Sequence, residues 1–398
     1  MTIYDQYETV IGLETHIQLN TNSKAFCGDD TGFGAEANTH ISAISLGHPG
    51  TLPKLNATQL QSAIKLGVAL NCRINQNNFF DRKNYFYTDL PKGYQITQDN
   101  QPICIGGSFK VKVGDTYKEI RLHHIHMEED AGKSIHDLAP KHSYIDLNRA
   151  GVPLLEIVTE PDFRSAEEVD AFMNGMRQLV RYLGISDGNM ERGQMRCDVN
   201  VSVRKKGTTE YGERCEVKNL NSMRFARNAI KFERKRQIDL LESGGKVVQS
   251  TLNFNPSTGE TTPLRTKENA NDYRYFPDPD LPPMRLTDEQ VATWSADVTN
   301  LKVSGSIAYQ KLFPLLLASP TQSAQALAEQ HDLIQSNDDN FLEDIAKQVI
   351  AQSPDKVKAY QNGKKGLIGF FMGNLMKASK GKADPKKGNE ILRKLLEG

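Results

Sequence analysis

Apolar and polar residues alternate from Val10 to Asn20, VIGLETHIQLN. With a period of two, Leu13, Thr15, Ile17 and Leu19 fall on one side and Glu14, His16 and Gln18 on the other, which predicts a half-buried strand. The texture recurs in RCDVNVSVR, where Cys197, Val199, Val201 and Val203 alternate with Arg196, Asp198, Asn200, Ser202 and Arg204. KVKVGDTYKEIRL carries the same alternation around a Gly-containing turn. Between these strands the period lengthens. NATQLQSAIKLGVALN predicts a helix capped by Asn56 with Leu60, Ile64, Leu66 and Val68 on one stripe. SAEEVDAFMNGMRQLVRYLG predicts a second, from Ser165, with Glu168 at capping-box spacing, to a stop at Gly184. RFARNAIKFERKRQIDLLESGG predicts a third, ending at a glycine pair.

Strands with interspersed helices and hairpin-length turns predict an α+β body with a largely antiparallel sheet. The proline-rich YFPDPDLPPMRL closes that region, and beyond about Val298 the patterns are helical only. Ser319-Pro320-Thr321-Gln322 and Ser353-Pro354 each read as a helix start, and Phe341, Ile345 and Val349 recur at helical spacing. A small all-helical tail domain is therefore expected.

A chain of 398 residues is too long for one ordinary core, and 38% hydrophobic with 25% charged residues is globular composition. No apolar run approaches the roughly 20 residues of a membrane span. MTIYDQYETV lacks the basic start and apolar run of a secretory signal, so the cytoplasm is the expected compartment. There the five cysteines are expected to be reduced, and none forms a CxxC pair. Net charge is zero, but from Asp355 onward eleven Lys and Arg face four acidic residues. A basic end on an acidic body suits a phosphate backbone, and a solvated basic tail is an equally ordinary reading.

The candidate chemistry sits on the polar sides of the strands. HHIHMEEDAGKS packs His123, His124, His126, Glu128, Glu129 and Asp130 into eight residues. VPLLEIVTEPD sets Glu156 in an apolar run, where a carboxylate must be paired or bound to a metal. Carboxylates with an imidazole suit Mg²⁺ or Mn²⁺ better than zinc, and an ion pair with Arg149 or Arg164 is the alternative. EEDAGKS is not a phosphate-binding loop, because Met127 stands where the first glycine belongs, and GFGAEA follows no strand. In DRKNYFYTDLPKGYQIT, Arg82, Lys83 and Lys92 interleave with Tyr85, Phe86, Tyr87 and Tyr94. Cations beside aromatics hold phosphates and stack a base; a surface hairpin is the plainer reading.

VIGLETHIQL, FDRKNYFYTDLPKGYQIT, HMEEDAGKS, DLNRAGVPLLEIVTEPD, MRCDVNVSVR, EVKNLNS and DYRYFPDPDLPP together resemble the B-subunit family of bacterial glutamyl/aspartyl-tRNA amidotransferases. The resemblance covers the body and resumes in GKKGLIGFFMGNLMKASKGKADPKKGNEIL. It implies ATP-dependent phosphorylation of the side-chain carboxylate of Glu-tRNA(Gln) or Asp-tRNA(Asn), then amidation with ammonia. The ammonia comes from the glutamine-hydrolysing A subunit, and the small C subunit joins the other two. The resemblance also implies a cradle similar to glutamine synthetase over residues 1–292 and a tRNA-binding helical tail over 304–398. By resemblance Glu14, His16, Glu129, Glu156 and Asp198 line the Mg²⁺ site. Lys83, Lys92 and Glu129 serve the chemistry and the mouth of the ammonia path, and Arg82, Tyr85, Tyr87 and Arg196 bind ATP.

Simple alternation puts Glu128, not Glu129, on the face of His124 and His126, so a bulge or a division between two faces is required. Thr88 replaces a proline of the relatives. Of the four cysteines that hold zinc in some relatives only Cys27 remains, so no structural zinc is expected. The family's helical domain is absent, leaving a short linker over 293–303. A tRNA-binding scaffold with impaired catalysis is the alternative function.

Overall fold

The computed structural model describes residues 2–139, 141–266, 273–299, 324–331, 333, 339–361, 363–379, 383 and 385–397. The chain divides into two compact units, Met1–Thr299 and Asn300–Gly398.

The first unit is built on a ten-stranded sheet. Its central strand β1 (Tyr7–Gln18) is the alternating segment that opens the sequence, with Leu13, Thr15 and Ile17 buried and Glu14, His16 and Gln18 half-buried. β1 lies between β6 (Pro153–Thr159) and β7 (Met195–Lys205), antiparallel to both. Beyond β6 come β5 (Thr116–Glu129) and the short strands Cys104–Ile105 and Arg73–Ile74. Beyond β7 come β8 (Cys215–Leu220), β9 (Ser250–Asn255) and β10 (Glu260–Thr266). β4 (Ser108–Val113) forms a hairpin with the first half of β5. Only β8 and β9 pair in parallel. A separate hairpin, β2 (Asp81–Asn84) and β3 (Tyr94–Thr97), joins Phe276–Pro277 in a small sheet. The proline-rich segment therefore returns to the body instead of leaving it.

One face of the large sheet is apolar and carries helices α1 (Ala57–Ala69), α2 (Ala166–Tyr182) and α3 (Met223–Glu242). Their starts follow the sequence. Asn56 accepts from the amides of Thr58 and Gln59, Ser165 from that of Glu168 and Ser222 from that of Phe225. The reciprocal half of the expected capping box at Ser165 is not made, because the Glu168 carboxylate accepts from the Arg164 amide and from Lys118 instead. α1 packs on β5 and β6, α3 on β7, and α2 on α3 and β4. Thr15 sits under α2, its hydroxyl donating to Met173 Sδ at 3.7 Å. The fully buried Phe172 ring meets Phe109 and Phe163 edge-on at 5.7 and 5.3 Å. Phe172→Ala is expected to cost about 3–5 kcal/mol, read as a lower urea midpoint of the body with no change at the polar face of the sheet.

The second unit, by itself, packs α5 (Asp339–Ala351), α6 (Pro354–Gln361), α7 (Ile368–Ala378) and α8 (Pro385–Glu397) around Leu342, Ala346, Phe371, Leu375 and Leu392. The buried stripe of α5 is Leu342, Ala346 and Val349, with Ile345 only partly buried; the Phe341 side chain lies outside the described residues. The helix start at Ser319–Gln322 and the 300–303 part of the expected linker also lie outside them. The start at Ser353-Pro354 is observed as α6, while α4 (Asp288–Trp294) occupies the beginning of the expected linker.

Candidate active site

Strand register brings the polar residues of four strands onto the second face of the sheet. His16 lies opposite Glu156 on β6 and Arg196 on β7, and Glu14 lies opposite Asp198. Glu156 is in turn opposite His126 on β5, and Asn200 opposite Glu216 on β8. Side chains that look like separate polar positions in the sequence thus form one contiguous surface, because same-face positions on adjacent antiparallel strands stack in rows.

Two groups result. In the first, Glu156 Oε2 lies 3.3 Å from His16 Nε2 and 3.2 Å from His126 Nε2, and Glu128 lies 3.7 Å from each imidazole. Arg149 and Arg164 are engaged elsewhere, by Asp130 at 3.6 Å and by Glu8 at 3.2 Å, so neither is the partner of Glu156. Burial opposes protonation of His16, but the Glu156 and Glu128 carboxylates outweigh it and push the imidazole up to about 9. The same balance pushes His126 up to about 10. Burial works against the Glu156 charge too, yet the two imidazoles hold its carboxyl well below the usual carboxylate range. In the second group Glu14, Asp198 and Glu216 converge, bridged by Lys218 Nζ at 2.9 Å from Asp198 and 2.7 Å from Glu216. Asn200 donates to Glu14 at 3.0 Å. Burial, and then the charge of Glu156, raises the Glu14 pKa.

These donors fit a hard divalent cation. Each group offers one atom per residue within 4.8 Å of the others, oxygen predominates, and Glu14 is crowded by like charges that a cation would relieve.

The expected ligands Glu14, His16, Glu156 and Asp198 all lie on this face. Glu129 does not. The pairing of β5 with β6 runs without irregularity from His124 to Glu129, so alternation holds and Glu128 takes the place beside His16 and Glu156. Glu129 points to the opposite side, where its carboxylate accepts from the Ile96 amide at 2.9 Å and pairs with Lys92. A bulge does occur one step earlier, between Val158 and Thr159, where Leu122 and His124 are consecutive partners and His123 is the extra residue. There His123 Nδ1 comes 2.7 Å from His124 Nδ1, and His124 Nε2 lies 3.0 Å from His126 Nδ1. Burial, and the neighbouring imidazoles, push His124 down to about 4.

The β2–β3 hairpin borders the first group. Gln95 on β3 donates to Glu128 at 3.1 Å, and Lys83 is its cross-strand neighbour. The Lys83 ammonium lies 4.8 Å from the Tyr273 ring centre; burial disfavours its charge, but Tyr275, Glu128 and Glu156 raise its pKa overall. The Lys92 ammonium rests near the rings of Phe26 and Tyr94. The expected nucleotide residues are dispersed. Arg82 is engaged by Asp278 at 2.9 Å and Asp280 at 2.7 Å, and stacks over Tyr94. Arg196 pairs with Asp130 at 3.0 Å. Tyr85 is half-buried between Tyr87 and Tyr273, and Tyr87 is exposed at the hairpin tip. Glu216 and Lys218 were within reach of sequence reasoning, since CEVKNL repeats the alternation of β1.

The profile of the GatB/GatE catalytic domain matches residues 9–292, and that of the GatB domain matches residues 278–396. The B subunit of an aspartyl/glutamyl-tRNA(Asn/Gln) amidotransferase from Methylobacillus flagellatus is 42% identical over 475 residues, covering 98% of this chain and all of the relative. Proteins of the same name from Geotalea uraniireducens and Persephonella marina are 42% and 38% identical, over 99% and 98% of this chain and all of each relative. These alignments run over 475 to 478 positions, more than the 398 residues of this chain, so they open gaps against it.

Proposed function

This chain belongs to the GatB/GatE family, and on that premise we propose that it is the B subunit of a tRNA-dependent amidotransferase acting on Glu-tRNA(Gln), Asp-tRNA(Asn) or both. In the first step an oxygen of the amino acid's side-chain carboxylate attacks the γ-phosphorus of ATP and ADP departs. In the second, ammonia attacks the acyl carbon, phosphate departs and a proton is released. The A subunit supplies the ammonia by hydrolysing glutamine, and the C subunit completes a heterotrimer. The observation that carries this reading is the convergence of Glu14, His16, Glu128, Glu156, Asp198 and Glu216 on one face of the sheet.

Phosphoryl transfer needs alignment and charge neutralisation more than covalent help. Glu14, Asp198 and Glu216, with His16, Glu128 and Glu156, are the residues that would hold Mg²⁺, which when bound screens the charges of carboxylate and phosphate from each other. His16 and His126 fix the direction of the Glu156 carboxylate, and Arg196 holds Asp130 beside them. On the other side of β5, Lys92 and Glu129 stand at the mouth of the ammonia path with Lys83 nearby, and Glu129 accepts the proton that entering ammonium must lose. The reading extends to the architecture: a cradle of the glutamine synthetase kind over 1–292, a linker over 293–303 in place of a helical domain, and a tRNA-binding tail over 304–398. Every residue named for the polar face is present, so the scaffold alternative gains no support.

The test is ADP formation and amide formation by the chain assembled with its two partner subunits, using each mischarged tRNA. Activation that proceeds without mischarged tRNA, or amidation without ATP, would overturn the reading. The basic tail gives a second expectation. Truncation after Asn300 removes a patch that attracts phosphates without positioning the carboxylate. KM for mischarged tRNA should rise about tenfold and its salt dependence flatten, with kcat within about twofold. Collapse of kcat at saturating tRNA would make the tail a positioning element.

A further inference from the structure

A cavity of about 550 Å³ adjoins the Glu14 end of the polar face. That volume lies in the usual range of small-molecule sites, about 300–1,000 Å³. Gly12 opens it. The glycine lies on β1 between Val10 and Glu14, opposite Asn200 of β7, and it has no positive φ. A Cβ placed there would find its nearest atoms in Pro161 at 3.8 and 3.9 Å and the Thr159 carbonyl at 4.0 Å, all ordinary contacts. Neither backbone conformation nor packing therefore demands glycine, although glycine weakens a strand interior and often marks close approach of a ligand. Gly212, across the cavity, is different: its Cβ would lie 2.2 Å from the Val203 carbonyl, so it is a glycine of the fold.

The cavity is chemically asymmetric. At one end is Glu14, a member of the Glu14–Asp198–Glu216 group. Elsewhere its lining includes Val10, Pro161, Arg214 and the exposed ring of Tyr211, which has the Arg204 guanidinium 5.2 Å from its centre. Arg214 makes no ion pair among the described residues. A ligand with a flat heteroaromatic end and a polyanionic end, carrying its own dication, matches that order. The second group, around His16, begins two residues further along β1, about 7 Å away.

We propose that the polar face is divided between two substrates: the cavity bordered by Gly12, Glu14, Tyr211 and Arg214 seats ATP with its phosphates toward Glu14, Asp198 and Glu216, and the His16–Glu128–Glu156 group receives the acceptor carboxylate. This rests on the ATP-dependent reading above. The purine lies against Tyr211, Arg214 contacts the nucleotide, and the γ-phosphate is directed along β1 toward the acceptor.

The experiment measures binding of ATP with Mg²⁺, by calorimetry, to the assembled three-subunit complex carrying Gly12→Ala, Gly12→Val or Gly12→Leu. The dissociation constant should rise with side-chain size, by about tenfold or more at valine, while affinity for mischarged tRNA is unchanged. Tyr211→Ala and Arg214→Ala, both at exposed positions whose truncation leaves the core intact, should each weaken ATP by about three- to tenfold. His16→Ala should lose amide formation yet hold ATP within about twofold. Unaltered ATP binding by Gly12→Leu overturns the division while the ATP-dependent reading stands. A wild-type complex that neither binds ATP nor forms ADP with mischarged tRNA overturns both.

Discussion

Glu156→Gln is expected to abolish ATP-dependent activation of the mischarged tRNA, by about 10²–10³-fold or more, while glutamine hydrolysis by the partner subunit stays measurable. The substitution keeps the shape of the side chain and removes its charge. Glu156 is the carboxylate against which both His16 and His126 rest, at 3.3 and 3.2 Å, and its apolar neighbours on β6 give it no other partner. Without that anion, two buried imidazoles face each other across a neutral amide and keep only Glu128 to support their charge. Phosphorylation of the acceptor at ordinary Mg²⁺ in this variant would remove Glu156 from the site. Glu128→Gln should behave like Glu156→Gln, since strand alternation sets the two together.

Lys92→Met is expected to separate the half-reactions. Glutamine hydrolysis and acceptor phosphorylation should persist, while amide formation from glutamine falls by about 10²-fold. The Lys92–Glu129 pair lies on the side of β5 away from the carboxylate groups, so its loss leaves the phosphorylating face in place. Glu129 keeps its bond from the Ile96 amide, which limits the disturbance of the fold; thermal melting of the variant checks that point. Equal amide formation from glutamine and from added ammonium salt in the variant would deny Lys92 a part in the passage. Glu129→Gln should follow Lys92→Met, not Glu156→Gln, which makes the assignment of the two adjacent glutamates a kinetic distinction.

Much of this was legible in local pattern. The period-two texture of β1, β5 and β7, the caps Asn56, Ser165 and Ser222, and the sidedness of Glu128 follow from neighbouring residues alone. What local pattern could not supply is which strands lie side by side. Glu216 joins Glu14 and Asp198 only because β8 pairs with β7 and β7 with β1. Arg82 looked free to hold phosphate because Asp278 and Asp280 lie almost two hundred residues away in the chain. His123 shares a side with His124 through a bulge set by its register with β6. The burial of α5 also escaped, since Phe341, Ile345 and Val349 and the observed Leu342, Ala346 and Val349 are both apolar stripes at helical spacing. Such choices depend on tertiary partners, which periodicity does not record.

The position of β1 has a consequence for how the molecule is made. Residues 7–18 are translated early but belong at the centre of the sheet, between strands that begin at Pro153 and Met195. At ordinary ribosomal speeds of about 5–20 residues per second, the interval from Gln18 to the end of β7 is about 10–40 s. For that time the strand has neither neighbour. Its apolar side has no helix to cover it until α2 has emerged, and both its edges offer unpaired amides and carbonyls. Closing the sheet then requires contacts between residues more than 140 positions apart, as in the bond from the Leu13 amide to the Thr159 hydroxyl, so assembly is non-local and slow. The strand that presents Glu14 and His16 is thus also the one whose nascent form most needs shielding, and molecular chaperones have their longest task where the catalytic face will eventually stand.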